Sequence, residues 1–102
     1  MSKLVKDDQW VWVVIQNPGG NEQFLGQQDE DKGVSFIPTF LEKDEAEQGL
    51  MLMAREAGRK YEVHAILFED LTERAAEHGL MLFVVNAKGE VLEKIETQKT
   101  VH

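Results

Sequence analysis

Few side chains in this chain are placed to do chemistry, and each can be judged against what that chemistry demands. His64 stands in the middle of the apolar run 61–68, on the strand face that also carries Ile66 and Phe68. Were that face covered, the ring would need hydrogen-bond partners, and Ser35 or Thr39 would serve. A catalytic base also needs a nucleophile within reach, and no hydroxyl, thiol or second histidine lies at a recognised spacing from His64. The first reading is therefore a satisfied core or edge histidine, with a ligand contact at His64 as the alternative. His78 precedes Gly79 and suits the C-terminus of a helix, while His102 belongs to the tail.

Three further clusters invite a chemical reading. The run Asn17, Pro18, Gly19, Gly20, Asn21 is glycine-rich, but a phosphate loop opens a helix and usually carries a lysine, and here a strand follows. It reads as a turn, with proline fixing one φ and glycine supplying positive φ. Asp29, Glu30 and Asp31 are too closely spaced for a calcium loop and lack its closing glutamate, so they read as a solvated turn. Trp10 and Trp12 share one strand face. They are core residues on the commoner reading, and an apolar groove or a protein contact surface if exposed.

Composition narrows the rest. The chain has 102 residues, enough for one domain with a single core. With 19 acidic against 11 basic residues the net charge is −8, which disfavours binding to phosphate backbones and anionic membranes. There is no cysteine, hence no disulfide, thiolate metal site or thiol catalysis, and the composition fits a reducing cytoplasm. No long apolar run or signal sequence appears. No cofactor or metal is expected.

The elements that must position these residues are built around 34–58. Residues 34–41 alternate as a strand with one strongly apolar face, and Pro38, which cannot donate a ladder bond, argues for a strand end or edge. A helix follows from about Glu42, with Asp44, Glu45 and Glu47 in its first turns and Gly58 as its stop. Ala46, Leu50, Met53, Ala54 and Ala57 make its core stripe. Met51 and Leu52 fall off that stripe: on the commoner reading they are incidental exposed apolar residues, and on the other an interaction surface for a second copy or another protein.

The remaining chain reads in order. Residues 1–8 are a loose terminus. Residues 9–16 are apolar on both faces and make an interior strand. A weaker strand over 22–27 returns after the turn, and 61–68 is another strand. Asp70 and Glu73 form a candidate capping box for a helix ending at Gly79. Residues 80–85 and 91–95 form a hairpin through Asn86, Ala87, Lys88 and Gly89, and 97–102 is a frayed end. The resulting fold class is α/β, with a single mixed sheet of five or six strands and two helices in the order β-β-β-α-β-α-β-β.

Two of these segments carry a family resemblance. FIPTFLEKDEAEQGL (36–50) followed by FEDLTERAAEHGLMLFVVNAKGEVL (68–92) resembles the N-terminal domain of the SseB-like family, named after an enhanced serine sensitivity protein. Pro38, Thr39 and Phe40 stand in a strand before an acidic helix, and Val84, Val85, Asn86 and Gly89 stand in a hairpin. The resemblance implies a small α/β fold. It brings no agreed activity and therefore no catalytic residues. The expected function is a non-enzymatic, self-associating interaction or regulatory module, acting through Met51 and Leu52, the Trp10/Trp12 face or an open sheet edge. The alternative is a small-molecule-binding domain or hydrolase with its pocket at His64.

Overall fold

A computed structural model describes residues 2–20, 22–29, 33–52 and 58–97. The elements are β1 (Trp10–Gln16), β2 (Gln23–Phe24), β3 (Gln27–Asp29), β4 (Val34–Thr39), α1 (Lys43–Leu52), β5 (Tyr61–Leu67), α2 (Phe68–Glu77), β6 (Met81–Val85) and β7 (Val91–Ile95). The class is α/β with two helices, but the single sheet expected from the sequence is corrected. There are two sheets, ordered β2-β1-β5 and β3-β4-β6-β7.

The cause is the segment after the Asn17 turn, expected as one strand over 22–27. It divides into β2, antiparallel to β1 through Ile15 and Phe24, and β3, antiparallel to β4 through Gln27 and Phe36. By changing partner it wedges β1 and β4 apart. They meet again where the amide of Trp12 donates to the carbonyl of Phe40 and the amide of Phe40 to that of Trp12, both at 2.9 Å. Because strand bonding alternates, Pro38 turns its nitrogen to the same edge of β4 as Phe36 and Phe40. Its missing donor falls between the two pairings, where no donor is used.

Of the two connections long enough for a parallel crossover, β4–α1–β5 and β5–α2–β6, neither joins strands that pair with each other. β5 returns antiparallel to β1, and β4 and β6 are the parallel pair. Both faces of the strands are covered, which is why β1 and β6 are apolar on both sides. One core joins Val11, Val13 and Ile15 of β1 and Leu82 and Val84 of β6 to Leu71 and Ala75 of α2. The other joins Phe40, Phe83 and Val85 to Ala46 of α1, flanked by Trp12 and Val63.

The helix ends follow local chemistry with one correction. Asp70 and Glu73 are not a capping box: α2 begins at Phe68, directly after β5, and its N-cap is Leu67, without a side-chain bond. Backbone carbonyls take that role, with the amide of Phe68 donating to Gln9 (2.9 Å) and that of Glu69 to Asp7 (3.1 Å). The helix closes as read, at Gly79 with φ 68°, the amides of Gly79 and Leu80 donating to Ala76 and Ala75. The hairpin turn is also as read. The amide of Gly89, at φ 81°, donates to the carbonyl of Asn86.

The segment read as a loose N-terminus is held in place over residues 2–8. Val5 is buried in the α2-side core, and Glu93 of β7 accepts from the Ser2 hydroxyl and from the amides of Lys3 and Leu4. At the other end Thr97 is buried and its hydroxyl donates to the carbonyl of Leu80. The rest of the expected frayed end, 98–102, lies outside the described residues, as do Met53, Ala54 and Ala57 of the expected helix stripe.

Candidate functional site

The residues singled out in the sequence occupy two separate regions. On the α1 side, Met51 and Leu52 end the described helix as adjacent apolar side chains, 73% and 64% exposed. The Leu52 Cδ1 reaches to 4.0 Å from where a Cβ on Gly89 would stand, so this surface continues onto the β6–β7 turn. The tryptophan pair is split. Trp10 is 58% exposed, whereas Trp12 is half-buried against the Phe40 core with the Lys43 ammonium 5.8 Å from its ring centroid, within cation–π range.

Two contacts on this side depend on which elements meet. Gly49, rather than Leu50, joins Ala46 as a buried residue of α1: a Cβ there would lie 2.5 Å from Cε1 and Cζ of Phe40. Farther out, Phe36 and Phe83 stack at 4.0 Å with an interplanar angle of 9°, and Lys94 lies 5.1 Å above the Phe83 ring. Lys94 is steered there by Asp29, 3.6 Å away. That pairing gives Asp29 a structural use. Glu30 and Asp31 lie outside the described residues.

On the α2 side a groove of about 1110 Å³ runs between α2 and strands β1, β2 and β5. Val13, Ile15, Phe24 and Ile66 form its floor. Asp70, Glu73, Arg74, Glu77 and His78, spaced as one stripe of α2, form a wall, with His64 opposite. The fold thus brings His64 and His78 to one concavity, which their separation in the chain concealed. Neither partner expected for His64 is used. Its ring, 41% exposed, lies with Nε2 3.4 Å from Oε2 of Glu62, and the Thr39 hydroxyl donates to the carbonyl of Ile37. The reason is topological: β5 is in the other sheet from β4.

The chemistry available in the groove is limited. None of its described lining side chains carries a hydroxyl, thiol or primary amine for nucleophilic attack. Among the described residues no group of three or more histidines or carboxylates is arranged to hold a metal ion. Outside the groove, the carboxyl of Glu93 is held by the N-terminal segment. Partial desolvation pushes its carboxyl up, but the bonds from Lys3, Ser2 and Leu4 and the Lys3 charge outweigh this and hold it below the usual glutamate value.

Comparison of the chain with protein-family models, with curated proteins and with solved structures found no match in any of the three. Among the described residues no helix is long and apolar enough to cross a membrane.

Proposed function

We propose that this protein is a non-enzymatic interaction module that associates with itself and acts in the cytoplasm. The observation that carries the reading is the adjacent, exposed pair Met51 and Leu52 on a helix already seated on Phe40 through Gly49. An apolar pair at the end of an otherwise acidic helix has a hydration cost that burial against a partner removes. The charge of −8 favours a protein partner over nucleic acid or an anionic membrane. The likeness to the SseB-like N-terminal domain, which brings no catalytic residues, fits the same reading.

Light scattering over a wide concentration range tests it. The wild type is expected to run as a dimer and the double variant Met51→Glu, Leu52→Glu as a folded monomer. A wild type that stays monomeric throughout would sink the proposal.

The groove favours a second reading, a small-molecule site at His64, because an apolar floor under convergent polar side chains is the usual form of such a site. Screening small molecules by thermal shift checks it. Any compound that stabilises the wild type should lose its effect on His64→Ala, and an unchanged effect in that variant rejects the site.

A further inference from the structure

The polar rim of the groove beside α2 is predominantly anionic. Four carboxylates, those of Glu22, Asp70, Glu73 and Glu77, stand around it against a single guanidinium, Arg74, and no lysine lines it. Arg74 lies one turn after Asp70 and one turn before Glu77, so its one charge is set among theirs. Among the described residues Asp70, Glu73 and Glu77 form no ion pair. Carboxylates only accept hydrogen bonds, so an occupant has to bring N–H donors and positive charge. The charge of −8 on the whole chain draws cations toward the same surface.

Two further observations say what kind of cation. The carboxylates of α2 are spread over seven residues, about 10 Å along the helix axis, rather than gathered about one point. Among the described residues no group of three or more is arranged to hold a metal ion, so the geometry suits an organic head group. Beneath the rim the floor is apolar, with Val13 and Ile15 of β1, Phe24 of β2 and Ile66 of β5, and a strongly hydrated polyamine would leave it unused. At about 1110 Å³ the groove has room for a ring or alkyl chain as well as a head group.

We infer that this groove takes an organic cation with an apolar body, an amine or guanidine whose head meets the α2 carboxylates while its body covers the floor. The inference rests on the small-molecule reading of the groove and names the class of ligand. It leaves the Met51/Leu52 surface to self-association, since α1 and α2 cover opposite faces. Anionic metabolites are disfavoured, because one guanidinium faces four carboxylates.

The probes are phenylbutylamine, phenylbutanol and phenylbutyrate, which share one apolar body and differ in the charge of the head. Each is titrated into the full chain and followed through backbone amide chemical shifts. The amine should move the amides of Phe24, His64 and Ile66 and those along Asp70–Glu77, and bind several-fold more tightly than the alcohol, with the acid weakest. Added salt should narrow that order. In Glu73→Lys, Glu77→Lys the order should invert, the acid becoming the tightest. Both positions are exposed, so the fold should survive, which circular dichroism checks. Should it not, Glu73→Gln, Glu77→Gln decides, where the preference for the amine should shrink. Equal binding of all three in the groove, or an order that ignores these substitutions, overturns the cation inference and leaves the small-molecule reading standing. If none of the three moves a groove resonance, both fall.

Discussion

Gly49 leaves no room for a methyl group. The ring of Phe40 that it seats is itself fully buried and cannot swing aside. Overpacking costs about 1–3 kcal/mol, and a Cβ held at 2.5 Å belongs to the upper part of that range. Alanine recovers roughly 1 kcal/mol of helix propensity over glycine. Gly49→Ala should therefore lose about 1–2 kcal/mol in urea unfolding, where an exposed helix glycine would gain. Glu93 has a different signature. Its folded pKa is depressed, so its contribution is fully present above the ordinary value of 4.5 and fades as pH falls through the lower folded value. The protection of the Lys3 and Leu4 amides against exchange, relative to their intrinsic rates, should fall across that acidic window, and Glu93→Gln should lower it already at neutral pH.

The elements depend on backbone groups that lie far apart in the chain. α2 has no side-chain cap and starts on the carbonyls of Asp7 and Gln9, so the N-terminal segment, β5 and α2 order one another. Its other end is local. Gly79 holds a left-handed φ of 68° that an L side chain adopts at a cost, and Gly79→Ala should destabilise by about 1 kcal/mol. Urea titration followed by circular dichroism checks this. A Gly79→Asn variant, which tolerates the left-handed region better, should recover part of the loss.

At the scale of the molecule, the two helices cover opposite faces and leave the Met51/Leu52 end of α1 exposed. Because Met51 and Leu52 are exposed, replacing both with glutamate should leave the unfolding of the isolated chain within about 0.5 kcal/mol of wild type. At concentrations where the wild type is dimeric, the variant should instead unfold at lower denaturant, because it loses the stabilisation that association confers. Unfolding midpoints measured against protein concentration separate the two effects.

What the sequence by itself determined is local. Turn chemistry placed the reversals at Asn86–Gly89 and Gly79, period-two and doubly apolar runs located β1, β4, β5, β6 and β7, and the off-stripe positions of Met51 and Leu52 marked them as exposed. Each of these depends on residues a few positions apart. The tertiary structure decided what depends on partners distant in the chain. One such outcome is the division into two sheets, because Gln23–Asp29 reads the same whether it keeps one partner or changes between two. Another is the seat of Phe40 on Gly49, which no apolar pattern marks. The meeting of His64 with His78 was likewise beyond the sequence, since it follows from which elements lie side by side.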